Sequence, residues 1–411
     1  MKRNTHKIRV IFNDAHANLP SNSIIPQGGV SSFARKLCNY FENKKQEVEL
    51  ISLLFSHNPN NKNIYIKETK GKHKYYELYY PREGLINSYK KNYSIKQYTK
   101  FLEPWIEEVD KIFEKAKPDI VFLNGFSLSN WLIMETAHRR KIPISIQHAG
   151  IWKKELNVSK SHFSSSIKKI FSSFEKDIFN KATHQIFLNE FSRDVYFSLH
   201  NISQNKKTFL KTSIIPLPIE TKGFKKVNLP QKIHYKIGVV ARWDAIKNHD
   251  AILRLAKYVN KKNLPISIQV VTGWGEGKLT DYKKDYQKYI EIVKPMSPEK
   301  LKSFYKSQDI ILIPSRFDVS PTVLMEASSL GKPTIISNQV GWVSDFRTFN
   351  LNKLVIKPSD SGKNIYKTIN ILIKDKAMYI NKFKKLQRKI ISKHNTNVVF
   401  KEYYKIFKKI F

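Results

Sequence analysis

The chain of 411 residues holds a single cysteine, Cys38. That excludes a disulfide framework and any zinc or iron–sulfur site assembled from several thiolates, and it fits a reducing compartment. No apolar run is long enough to cross a bilayer. The opening Met1-Lys2-Arg3 leads into a strand-like Ile8 to Phe12, not into the apolar core of a signal peptide. A cytoplasmic location is expected, either free or peripheral on the inner face of the plasma membrane. Acidic residues are scarce as well: 34 Asp and Glu stand against 73 Lys and Arg, a formal net charge of +39. Such a field draws polyanions, whether an anionic bilayer or nucleic acid. The competing explanation is a composition rich in Lys, Asn and Ile, with most lysines solvated. There is no His-Glu-x-x-His and no Gly-x-Ser-x-Gly elbow. Gly273 to Leu279 imitates a Walker loop, but its glycine spacing is short and Leu279 cannot bind magnesium.

What is present is ample apolar material, 41% of the chain, enough for proper cores. The length suits two domains of ordinary size. Short apolar runs alternate with helical patterns throughout: strands at Ile8 to Phe12, Val48 to Leu53, Asp119 to Asn124 and Ile142 to Gln147, with helices at Gly28 to Glu42 and Ser129 to Arg139. Pro216-Leu217-Pro218 and the Lys-rich stretch after it read as a linker. Alternation then resumes with Tyr235 to Val240, Ile266 to Thr272, Asp309 to Pro314 and Thr334 to Ile336 as strands. Helices are expected at Asp250 to Asn260, Ser297 to Ser307 and Thr322 to Leu330. The pattern predicts an α/β fold with two doubly wound, Rossmann-like halves facing across a cleft. The boundaries are 1–215, a linker at 216–232, 233–395, and a last helix at 396–411.

The densest chemistry lies in Arg316 to Pro333. A buried strand runs into Asp318, and Glu326 follows after seven intervening residues, one to two turns into a helix. The helix-start amides of Thr322 and Val323 are open to phosphate oxygens. Two acids able to accept sugar hydroxyls beside an anion site describe a pocket for a nucleotide-linked sugar. Arg242 and Lys247, just past the strand Tyr235 to Val240, can neutralise a departing diphosphate. Gly28-Gly29-Val30 opens the first helix and lets backbone approach a phosphate or sugar closely. His148 ends a strand in Gln147-His148-Ala149-Gly150 and is a candidate grip on a sugar hydroxyl. Asp14 and His16 share that geography after the first strand.

Together these pieces resemble glycosyltransferase family 4, the retaining group 1 transferases of GT-B architecture, over nearly the whole chain. The Asp318 to Glu326 region, continuing through Gly331-Lys332-Pro333 to Gly341, is similar to the family's Glu-x7-Glu element. Gly238 to Lys247 matches its strand-Arg-Lys element, Thr272 to Gly275 its glycine turn, and Gly28-Gly29-Val30 its amino-terminal glycine loop. The resemblance implies that Asp318 holds hydroxyls of the donor sugar, Glu326 the ribose, and Arg242 and Lys247 the diphosphate. It implies that Gly29 approaches from the other domain and that His148 contacts the transferred sugar. It further implies sugar transfer by a front-face route, with no metal or other cofactor. Asp318 departs from the family's usual Glu by one methylene, which bears on sugar identity. The absence of an Asp-x-Asp triplet also counts against the metal-dependent, single-sheet type of sugar transferase.

The expected partners are a nucleotide sugar and a glycan or lipid-linked acceptor, in cell-envelope polysaccharide synthesis. An anionic membrane surface is admitted as a further partner, and nucleic acid is not expected. The rival readings are a catalytically degenerate GT-B protein that binds polyanions, or a nucleotide-sugar epimerase of similar fold. Acceptor or membrane contact is sought in Tyr75 to Tyr80, Tyr89 to Tyr93, the basic amphipathic Ser164 to Phe179, and the tip of Phe400 to Phe411. For Ser164 to Phe179 the plain alternative is a helix packing its apolar stripe into the core.

Overall fold

A computed structural model describes residues 7–13, 29–43, 47–57, 64–70, 74–80, 85, 87–158, 163–221, 223–272 and 283–411. Asp14, His16, Gly28 and the 273–279 loop lie outside the described residues. Gly29 begins the helix Gly29–Glu42.

Among the described residues the strands form two sheets. The first takes β1 (Ile8–Asn13), β2 (Val48–His57), β3 (Tyr65–Lys70), β4 (Lys74–Tyr80), β5 (Ile120–Asn124), β6 (Ile144–His148), β7 (His184–Phe187) and β8 (Thr212–Ile214), in the order β3-β4-β2-β1-β5-β6-β7-β8. All pairings are parallel except β3 with β4. The second takes β9 (Tyr235–Val240), β10 (Ile266–Val271), β11 (Glu291–Val293), β12 (Ile310–Ile313), β13 (Thr334–Ser337) and β14 (Val355–Ile356), ordered β11-β10-β9-β12-β13-β14 and parallel throughout. Each sheet reverses its winding direction once, between β1 and β5 and between β9 and β12. Open parallel sheets bind ligands at such switch points, outside the carboxyl ends of the strands.

Helices cover the sheets, so strands such as β5 and β6 are buried on both faces along their whole length. The helix Ser165–Lys181 buries Ile167, Phe171, Phe174 and Ile178, and Phe174 stacks on Trp131 with ring centres 3.9 Å apart. Its apolar stripe is therefore core, and the lipid-facing reading of Ser164 to Phe179 is corrected. Tyr75 to Tyr80 is only in part a surface, with Tyr75, Glu77, Tyr79 and Tyr80 half-buried. It is β4, with Tyr76 and Leu78 fully buried. Tyr89 packs edge-on against Phe163 and Phe171. The last helix, Thr396–Ile410, returns to the first sheet's half: Phe400 and Tyr403 pack on Phe33, and Phe407 on Phe41. No helix among the described residues is long and apolar enough to cross a membrane.

Candidate active site

The switch point of the second sheet gathers most of the residues singled out in the sequence. Lys247 ends the 3-10 turn Ala245–Lys247 that follows β9, and the geometry of that turn is fixed by its neighbours. The Asp244 carboxylate accepts the amide of Ile246 at 3.0 Å. The Arg316 amide donates to the Ile246 carbonyl at 2.7 Å. Asn248, in the left-handed region at φ 60°, donates its side-chain amide to the carbonyls of Pro314 and Pro358 at 2.9 Å each. A flexible lysine is thereby presented from a turn fastened to the end of β12.

Asp318, after β12, is held by its backbone: its amide donates to Gln339 at 3.0 Å, and its carbonyl accepts from Gly341 at 2.9 Å. Lys247 Nζ lies 2.6 Å from Asp318 Oδ2, with both side chains partly exposed. The ammonium nominated for the diphosphate and the acid nominated for the sugar thus form one ion pair. Arg242 is more open, with 54% of its side chain exposed and its nearest acid, Asp244, at 3.4 Å. The helix Thr322–Ser329 starts beside them with Pro321 as its cap and no side chain capping it. The first amides of a helix have no acceptor inside it, so those of Thr322 and Val323 keep a partial positive charge for an anion. Glu326, farther along, accepts the buried Tyr305 hydroxyl at 2.7 Å on Oε2.

Two predicted residues have other surroundings. His148 is 1% exposed, stacks on Phe187 at 4.4 Å and meets Gln185 Oε1 at 2.9 Å. Burial above all holds its imidazole neutral, down to about 4. A sheet covered on both faces leaves even a strand-end side chain inside, so the expected sugar contact is corrected to a core position. Gly238 lies inside β9, where a β-carbon would stand 2.5 Å from Gln308 Cγ and 2.9 Å from Ile311 Cδ1. It serves strand-to-strand packing, not approach to a ligand.

The first sheet's half supplies groups that the sequence reading passed over. Asn189 caps the helix Glu190–His200 with its side-chain oxygen and sends its amide 2.8 Å to the Val319 carbonyl, beside Asp318. A β-carbon at Gly341 would collide with both Val319 O and that amide. Lys36 donates to the Pro218 carbonyl at 3.0 Å; burial lowers its pKa, while the Glu326 and Glu220 carboxylates pull it back up. Glu155, on the helix Trp152–Val158, is pushed up to about 7 chiefly by burial, against the pull of Lys247 and with the help of Glu175 and Asp318. The Asn189-Glu190-Phe191-Ser192 cap pattern was the one local signal for these residues.

Two doubly wound halves, with a cation–acid pair and an open helix start at a switch point, define the GT-B class. A solved structure of sucrose-phosphate synthase from Thermosynechococcus elongatus shares this fold with a TM-score of 0.71, over 98% of this chain and 99% of that one, at 16% identity. Residues 221–394 match the family model described as Glycosyl transferases group 1. The chain is 29% identical over 144 residues to the UDP-Gal:alpha-D-GlcNAc-diphosphoundecaprenol alpha-1,3-galactosyltransferase of Escherichia coli, a match covering 31% of this chain and 37% of that protein. It is 27% identical over 106 residues to EpsF of Bacillus subtilis, named as a glycosyltransferase, covering 25% of this chain and 27% of that one. Both matches span well under half of the relatives' own length.

Proposed function

We propose that the protein transfers a hexose from a nucleotide-diphosphate sugar to a hydroxyl of a glycan or lipid-linked acceptor, with retention at the anomeric carbon, in the synthesis of cell-envelope polysaccharide. The observation that carries this reading is the Lys247–Asp318 pair at 2.6 Å, set beside the uncapped start of the helix bearing Glu326. Lys247, Arg242 and the amides of Thr322 and Val323 hold the diphosphate. Asp318 takes sugar hydroxyls, and Glu326 takes the ribose with the carboxylate oxygen that Tyr305 leaves open.

In the reaction the bond from the anomeric carbon to the β-phosphate oxygen breaks, and the acceptor oxygen bonds to that carbon from the same face. The acceptor's proton passes to the leaving phosphate. Negative charge grows on the diphosphate as the bond breaks, so cations and amides already aimed there stabilise the transition state more than the ground state, each by about 3 kcal/mol. No metal is needed on this reading, because the two side-chain cations take its place.

A uridine diphosphate donor and a diphospholipid-linked acceptor are favoured by the E. coli relative's name. An acceptor of that kind lies on a membrane, and a net charge of +39 suits attachment to an anionic inner leaflet. The test is a thermal-shift screen against UDP, GDP, ADP and their sugar conjugates, repeated with Glu326→Ala. Stabilisation by one nucleotide, lost in the variant, supports the reading, and the anomeric proton coupling of the product then reports retention. No shift with any nucleotide, together with strong salt-sensitive RNA binding, would replace the transferase by a polyanion binder.

A further inference from the structure

The helix Trp152–Val158, at the end of β6, packs against the turn that carries Lys247 across the cleft. Its seat is firm. Glu175, 1% exposed, accepts the amides of Trp152 and Lys153 at 2.8 and 3.0 Å, and its Oε2 also pairs with His200 at 3.0 Å. Glu155 folds back so that Oε1 accepts the Ile151 amide at 3.3 Å. A β-carbon at residue 150 would stand 2.6 Å from that oxygen, so glycine is required for the carboxyl to tuck in. The charged groups acting on Glu155 are Lys247 and Asp318 from the opposite half and Glu175 from its own.

Lys247 therefore has three claimants: Asp318, Glu155 and an incoming diphosphate. When a diphosphate takes the ammonium, Glu155 keeps the Ile151 amide but loses its one favourable charge and gains a doubly negative neighbour. The carboxylate is then opposed by burial, by Asp318, by Glu175 and by the ligand. A proton from solvent adds to the carboxylate oxygen, and no bond to carbon or phosphorus changes. The neutral acid no longer repels the phosphates.

We propose that Glu155 is a positioning residue of the diphosphate site, supplied across the cleft, which takes up a proton when a diphosphate binds at Lys247 and so ties anion binding to the approach of the two halves. This rests on the assignment of Lys247 to the diphosphate. The test is isothermal titration of the full chain and of Glu155→Gln with UDP, GDP and inorganic pyrophosphate, each in two buffers of different ionisation enthalpy. Gln keeps an oxygen for the Ile151 amide, so a merely structural role survives the change; Glu155→Ala removes that as well.

The expected result is that the wild type takes up about half a proton more per ligand than Glu155→Gln near neutral pH. Its affinity also weakens about three- to tenfold more than the variant's as pH rises from about 6 to 8. Equal uptake and equal slopes, with ligand bound, overturn the role of Glu155 alone. Failure of the wild type to bind any of the three probes overturns both this proposal and the transferase reading. Should the variants fail to fold, the absence of net uptake by the wild type with pyrophosphate, after allowance for the ligand's own ionisation, is sufficient to overturn it.

Discussion

The two walls of the cleft are built on different principles. In the second half, charge is fastened to backbone: Lys247 rides on a turn tied to Arg316, Pro314 and Pro358, and Asp318 is gripped from both sides by the loop after β13. In the first half, the facing groups are placed by other side chains. Glu155 depends on a seven-residue helix, and that helix depends on one buried carboxylate, Glu175. Seven residues are too few for a helix to stand alone in water. The second wall is thus held by several backbone ties between neighbouring strand ends, whereas the helix in the first hangs on one buried side chain.

The sharpest break in that comparison is Glu175→Ala. It strips two amides of their acceptor and leaves His200 buried without its carboxylate. A loss of about 3–5 kcal/mol is expected, as when one partner of a buried pair is removed. Denaturant unfolding measures it, and hydrogen exchange should show Trp152 to Val158 opening first. A cost under about 1 kcal/mol would mean that the helix is held by something else.

Lys247→Met attacks the other wall and should act in the opposite way, on rate and not on fold. Turnover should fall by about 10²- to 10³-fold with the midpoint of unfolding nearly unchanged, because the turn is fastened by groups other than the ammonium. Release of nucleoside diphosphate from the donor found in the screen is the measurement. A large loss of stability would show that the Lys247–Asp318 pair builds the wall instead of serving the ligand.

Asn189→Ala cuts the tie between the walls. It removes a helix cap and the hydrogen bond to Val319, for about 1–2 kcal/mol in all. Since Val319 adjoins Asp318, donor affinity should weaken together with stability; Asn189→Asp, which keeps the cap but not the amide donor, separates the two. Retained donor affinity in Asn189→Asp would uncouple the tie from the site.

The same contrast explains what the sequence made legible. β9 is predicted at Tyr235 to Val240 and found there, and the helix predicted from Thr322 starts at Thr322. Apolar runs punctuated by Pro321 and Gly331 encode these elements locally, and the second wall's chemistry sits on them. Lys247, Asp318, Glu326 and the Thr322 amides meet because each follows one of two adjacent strands. Glu155 and Glu175 act on groups far away in sequence, and no spacing announces them; Asn189 is legible only as a helix cap, not as a tie to Val319. His148 misled for the complementary reason: strand-end position is visible in sequence, but the covering helix that buries the imidazole is not. Tyr75 to Tyr80 read as surface because its tyrosines flank a glutamate, while strand alternation between β2 and β3 turns Tyr76 and Leu78 inward and leaves the others half-buried.

The smallest effect probes the first wall through its protons. His148 and His184 are held by burial down to about 4, and Glu155 is pushed by burial up to about 7. Unfolded histidine takes a proton near 6.5. Between about pH 4 and 6.5 the unfolded chain therefore binds more protons at the histidines, and their contribution to stability is complete above that window and lost as pH falls through it. Glu155 has the opposite sign: its folded form keeps a proton that the unfolded form releases above about 4.3, so it favours the folded state less as pH rises toward 7. With His394, also held by burial down to about 4, the three histidines should outweigh the one carboxyl, giving stability that climbs with pH from about 4.5 to 6.5. His148→Gln should flatten that slope by at most about 1.4 kcal/mol per pH unit, whatever it costs in packing, and Glu155→Gln should steepen it. Denaturant unfolding across this range reads both slopes. Identical slopes in all three proteins would mean that the first wall lets water reach these groups, and with it the proposal that Glu155 answers to a ligand across the cleft would lose its physical basis.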